Sequence, residues 1–357
     1  MNLMRCSRRG DLERFIPGRK RYEFVWTQPI CWVFFHQHTR QASDSVMLKC
    51  GGFSFAQKVL TAMKFTKPPL TTSQQADLLL ARGLVADKAD LVARLTSVSY
   101  YRLCAYWYPF KQPDESFAPG TTLETIWRRY TFDRQFRLLV MDAIERVEIT
   151  LRGRLAYELT HRFGSFAHLD PLAFPGIQPA QCQRLMDDLH ENAVRSREAF
   201  VEHFRKTYDE FPDLPLWAAV ETMTFGQMLT MYRYCGKHVQ RDIASLFQIS
   251  GTVLLSWLLT LNYIRNLCAH HSRLWNRILA IKPTIPDIRH HPLWHATNAI
   301  SNERVFGVLT LLRYMLGFTA PHTQWRERLF ALVDDYPEIP ITAVGAPANW
   351  TQHPLWL

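Results

Sequence analysis

The stretch "DRQFRLLVMDAIERVEITLRGRLAYELTH", residues 133–161, decides the fold class. Its apolar residues Phe136, Val140, Ile144, Val147, Leu151 and Leu155 recur at steps of three or four. On a helix turning about 100° per residue that spacing stacks them into one stripe, whereas a strand needs alternation at every second residue. A stripe this long predicts a long helix with a core packed along it. The other side carries Asp133–Arg137, Asp142–Arg146 and Glu148–Arg152, each acid four residues ahead of its arginine, the favoured order for pairing on a solvated face. Gly164 ends the helix, and "HLDPLAFPG", residues 168–176, is a loop.

Helical patterning continues on both sides. In "MKFTKPPLTTSQQADLLLARGLV", residues 63–85, a Pro-Pro break precedes Thr72 or Ser73 as N-cap and a helix with Ala76, Leu79, Leu80 and Leu84 on its apolar face. A short helix is expected over residues 88–95. "VSYYRLCAYWYPF", residues 98–110, is either an aromatic plug joining a small N-terminal unit to the main bundle, or a surface for stacking bases. Pro109 and the polar "KQPDES" after it mark a boundary and favour the plug. Further helices are predicted over residues 179–208, 217–234, 241–247, 253–279, 302–316 and 324–332. Strand-like alternation is nearly absent and no repeat of 20–50 residues occurs. The fold class is all-α, with a small N-terminal helical unit (63–112), a helical bundle (113–335) and a C-terminal tail packing on it (336–357). Residues 1–62 show no sustained period and read as an irregular or disordered extension. Met63 stands where the text changes, so a start there is an alternative beginning of the chain.

With 47% apolar residues in 357, the chain can bury one large core or two smaller ones. Its longest apolar runs, "VLLSWLLTL" and "ICWVFF", fall short of the roughly 20 residues that span a bilayer. No secretory signal pattern follows the N-terminal arginines. Seven scattered cysteines without a CxxC pair fit reduced thiols, so a cytoplasmic location is expected. The net charge of +10 invites a polyanion partner, but residues 1–62 hold 10 basic against 4 acidic residues, over half of that excess. The balance permits nucleic-acid binding without establishing it.

"NYIRNLCAHHSRLWNR", residues 262–277, carries the densest candidate chemistry. Projected as part of a helix reaching Leu279, Asn262, Arg265, Asn266, His270, Arg273, Asn276 and Arg277 form one polar band. Ile264, Leu267, Cys268, Leu274, Trp275 and Ile278 lie opposite. His271 falls among these apolar residues, which predicts a buried, hydrogen-bonded structural histidine. The band contains no acid and no lysine. Uncompensated arginines around one titratable imidazole suit phosphate handling, and a buried polar helix contact is the alternative.

Here the residues resemble a known family. Arg265-Asn266-Leu267-Cys268-Ala269-His270 is similar to the R-x4-6-H motif of HEPN-domain proteins. Together with "YYRLCAYWYPF", "FDRQFRLLVMDAIERVEITLR", "PLWAAVETMTFGQM", "RNLCAHHSRLWN" and "NWTQHPLW", the text from Lys67 to Leu357 resembles the Abi family of bacterial abortive-infection proteins, AbiD/AbiF-like. The resemblance implies a HEPN-type helical bundle acting in phage defence as a metal-independent endoribonuclease or as a non-catalytic RNA-binding or protein-interaction module. It further implies a homodimer that pairs motif helices, with RNA as substrate and a structured non-coding RNA or phage-derived trigger as further partner. Arg265 and His270 would be the catalytic pair and Asn266 the assisting residue, with Arg273 and Arg277 holding RNA phosphates. No cofactor is expected.

The spacing sets a geometric condition. Five residues place Arg265 and His270 about 140° apart on one helix, so a site pooled across two facing helices is easier to build. Arg154 and His161 project about 20° apart and roughly 10 Å along the axis. They either complete a site within one chain or form a capped helix end with His161 favourable to the dipole. His290, His291 and His295 sit in a turn, with no acid or cysteine expected beside them, and read as surface loop rather than metal ligands.

Overall fold

The structure, a computed structural model, describes residues 66–296 and 299–357. The expected extension over residues 1–62 and the alternative start at Met63 lie outside the described residues. Twelve α-helices form among the described residues: α1 (Thr72–Ala81), α2 (Lys88–Val98), α3 (Tyr100–Trp107), α4 (Leu123–Phe163), α5 (Pro179–Arg195), α6 (Ala199–Thr207), α7 (Leu216–Thr222), α8 (Phe225–Tyr234), α9 (Lys237–Ser245), α10 (Gly251–Ala269), α11 (Val305–Thr319) and α12 (Trp325–Asp334). Isolated bridges such as Val85–Thr122 and Ile278–Arg304 take the place of a sheet among these residues, so the chain is all-α.

α4, 41 residues and about 60 Å long, is the central helix of the described residues. It starts ten residues before Asp133 because Thr122 caps it, accepting from the Thr125 N–H at 3.1 Å, and because Leu123 and Ile126 are already buried. Gly164, with φ +82°, ends it. α3 and α7 to α12 all pack on this one helix. The predicted stripe from Phe136 to Leu155 is buried throughout.

Two apolar cores result. The smaller joins Ala76, Leu79, Leu91, Leu103, Tyr106 and Trp107 to Leu123 and Ile126 of the first turns of α4. The larger runs from Phe132 through the rest of α4 and the later helices to Trp356. The C-terminal residues enter it: the Trp356 ring stacks on Phe306 at 5.4 Å, and its Nε1–H donates to Thr310 Oγ1 at 3.2 Å.

Three predicted helices are broken. The segment 179–208 divides at Ser196, whose hydroxyl accepts from the Glu198 N–H at 3.2 Å and competes with the helical ladder. The segment 217–234 divides at Thr224, which forms a capping box with Gln227. α1 likewise starts from a capping box at Thr71 with Gln74, ahead of the predicted caps Thr72 and Ser73 by one and two residues. The third break ends α10 ten residues before Leu279 and reshapes the candidate site.

Candidate functional site

α10 begins at Ser250, whose hydroxyl accepts from the Val253 N–H, and ends at Ala269. His270 occupies the cap and donates its N–H to Asn266 O at 3.0 Å. His271 adopts φ +55°. Its N–H donates to Cys268 O at 2.9 Å and the Ser272 N–H donates to Leu267 O at 2.8 Å. These two bonds make a Schellman end, with His271 in the place that glycine usually takes. The helical projection of residues 271–279 is therefore corrected: Arg273, Asn276 and Arg277 belong to a turn, not to a helix face. His271 is exposed rather than buried, because the chain reverses direction at that residue.

A buried carboxylate holds this turn. Asp133 Oδ1 accepts from the N–H groups of Leu274 at 3.1 Å and Trp275 at 2.6 Å. Its Oδ2 accepts from the Tyr106 hydroxyl at 2.6 Å and pairs with Arg137. Asp133 is 0% exposed, which overturns the expectation of a solvated Asp133–Arg137 face. The carboxylate is tolerated there because four donors replace its water. α3 adds two further ties, from Arg102 Nη1 to His271 O at 2.6 Å and from Arg273 Nη1 to Ala105 O at 3.0 Å. Arg277 Nε donates to Arg273 O at 2.8 Å, and Arg304 Nη1 to Asn276 Oδ1 at 2.8 Å. The Arg129 guanidinium stands 4.2 Å from the Phe110 ring and 5.1 Å from the Trp275 ring, within cation–π range. Burial pushes the neighbouring Cys268 thiol up to about 12, so it stays protonated.

His270 and Asn266 are exposed beside this turn, and the His270 ring makes no hydrogen bond among the described residues. Arg265 is placed differently. It lines a groove of about 420 Å³ with Leu138, Met141, Asp142, Ile144, Glu145 and Glu148 of α4, and makes no hydrogen bond or ion pair among the described residues. Asp142 is paired with Arg146 at 3.2 Å and Arg328 at 2.8 Å, and Glu148 with Arg152 at 2.5 Å. Arg265 thus lies along α4, while His270 lies past the last helical turn. Within one chain no hydrogen bond joins them.

The second candidate pair is engaged elsewhere. Arg154 pairs with Glu158 at 2.6 Å, and His161 Nδ1 bonds Tyr157 O at 2.9 Å in the last turn of α4. His161 is thirteen residues beyond Glu148, about 20 Å along the axis from the Arg265 groove. Among the described residues no hydrogen bond joins Arg154 or His161 to Arg265 or His270. In the later loop, His290 does have an acidic neighbour, Asp287 at 2.8 Å, contrary to the reading of that turn as lacking one. Among the described residues no three His, Cys, Asp or Glu side chains are placed to hold a metal ion.

Sequence reading missed Asp133, Tyr106, Arg102, Arg129 and Arg304 as parts of this region. For Asp133 a signal existed: it stands three residues before Phe136, so the buried stripe extended one step back passes through it. The others arrive from separate elements and leave no local trace.

The model of one family, described as Abi-like protein, matches residues 93–276, from α2 to the turn after α10. No curated protein and no solved structure matches the chain. More than half of the chain lies within the match, including Asp133, Arg265 and His270.

Proposed function

The chain belongs to the Abi-like protein family, and on that premise we propose that it is a cytoplasmic phage-defence protein of HEPN type that cleaves RNA without a metal ion. One observation carries this reading: Arg102, Arg129, Arg273, Arg277 and Arg304 gather on residues 271–276, beside the exposed His270, while the carboxylate bonded to that turn is buried. Such a surface attracts a phosphodiester, and the imidazole beside it can move protons. In the proposed step the RNA 2′-oxygen loses its proton to a base and attacks the adjacent phosphorus. The bond to the 5′-oxygen breaks, that oxygen is protonated, and a 2′,3′-cyclic phosphate and a 5′-hydroxyl end remain. His270 serves as the base or the acid, worth roughly 10²–10⁴-fold in rate. Asn266 assists, Arg273 and Arg277 hold flanking phosphates, and Arg265 stabilises the charged transition state. The separation of Arg265 from His270 within one chain favours a homodimer in which each site takes one residue from each copy. A structured RNA or phage-derived trigger starts the reaction.

A second reading, an RNA-binding module without catalysis, is favoured by the carboxylates of Asp142, Glu145 and Glu148 beside Arg265, which oppose a phosphate there. The test is end mapping of RNA from infected cells, with purified protein assayed in EDTA. Cyclic-phosphate ends should depend on both His270 and Arg265, with RNA affinity retained in His270→Ala. If ends and their yield are the same in His270→Ala, the cleavage reading fails.

A further inference from the structure

α3 has two faces of different character. Leu103, Tyr106 and Trp107 enter the smaller core, and Tyr100 packs over it with its ring edge-on to Trp107 at 4.9 Å. Tyr101 and Tyr108, seven residues and nearly two turns apart, share the outer face. Tyr101 is 69% exposed and Tyr108 43%. The Tyr101 and Tyr100 rings meet in a T-shaped contact with centroids 6.4 Å apart, and the Tyr101 hydroxyl makes no hydrogen bond among the described residues.

A single exposed tyrosine is ordinary. What distinguishes this one is its border. Arg102, the next residue, donates to His271 O, and Arg273 reaches the carbonyl of Ala105, four residues after Tyr101 along α3. The exposed aromatic face is therefore stitched to the edge of the turn that carries His270. A guanidinium has five N–H donors, so the bond from Arg102 to one carbonyl leaves others for a phosphate oxygen.

We propose that the outer face of α3 is a stacking subsite for single-stranded RNA, with Tyr101 holding an unpaired base and Arg102 the adjoining phosphate. The subsite rests on the RNA reading of the His270 turn and adds a substrate class to it. Stacking on an aromatic ring requires a splayed base, which a duplex does not offer, whereas basic residues alone hold either form.

The test uses the full chain carrying His270→Ala, so that no probe is cleaved, and fluorescence anisotropy with a labelled single-stranded RNA of about 12 nucleotides. The same strand annealed to its complement is the second probe. Tyr101→Ala should weaken single-strand binding roughly tenfold and leave duplex binding unchanged, while Tyr101→Phe keeps the wild-type affinity. Tyr157→Ala, at another exposed tyrosine on α4, should have no effect. Unchanged single-strand affinity in Tyr101→Ala overturns the subsite, as does an equal loss on the duplex. Absence of binding to either probe overturns it together with the RNA reading. Tyr101-dependent binding by a chain whose wild type yields no cleavage products upholds the subsite and removes only the catalytic step.

Discussion

Removing the Asp133 carboxylate deprives the Leu274 and Trp275 N–H groups, the Tyr106 hydroxyl and Arg137 of one shared acceptor. Asp133→Ala should cost about 3–5 kcal/mol in urea denaturation, because a buried cation and buried donors are left uncompensated. A loss under about 1 kcal/mol would show that the network is dispensable. His168, buried after α4, titrates in the opposite sense from a stabilising ion pair. Burial holds its pKa down at about 4; His190 pushes in the same direction and Asp213 opposes it. The unfolded chain takes up the proton near pH 6.5 and the folded chain does not, so stability is fully present above that pH and falls as the pH is lowered toward 4. Between pH 7.5 and 5 this group accounts for about 2 kcal/mol. His168→Gln should flatten the loss in paired urea titrations, and an identical pH dependence in both proteins would count against the assignment.

At the scale of the element, the end of α10 was the least legible part of the chain. Apolar residues recur at helical spacing through Ile278, and neither glycine nor proline interrupts them. The helix nevertheless stops at Ala269, because the next residues bond to Asp133 and Arg102, both more than a hundred residues away in the chain. His271 tolerates φ +55° better than a β-branched residue would. His271→Gly should be neutral or stabilise by up to about 1 kcal/mol, whereas His271→Val should cost about 1–2 kcal/mol. Thermal melts of the two variants separate this turn from a continued helix, in which glycine would be the more damaging change. α4 shows the opposite case: its stripe was readable because every step of it is buried. The break at Thr224 was readable in principle from the Thr-x-x-Gln capping box. In α11, Gly307 lies so close to the preceding loop that a Cβ would come within 2.6 Å of Ser301 O. Gly307→Ala should therefore cost about 1–3 kcal/mol in the same assay.

For the whole molecule, a site shared between two copies makes a distinctive prediction. Arg265→Ala and His270→Ala chains, each inactive alone, should regain roughly a quarter of wild-type cleavage after unfolding and refolding as an equal mixture. Half of the dimers are then mixed, and each mixed dimer keeps one intact site. Absence of recovery, with mixed dimers verified by mass, would place the whole site in one chain. The amino-acid sequence alone determined the all-α class, the central helix, the family, and the absence of any described helix long and apolar enough to cross a membrane. These depend on periodicity and local composition, which neighbouring residues encode. Tertiary structure alone decided that the segment after His270 is a turn, that Asp133 is its anchor, and that Arg265 faces α4 while five arginines gather on residues 271–276. Each of those outcomes requires a donor and an acceptor from separate elements to meet, and no local spacing records such a meeting.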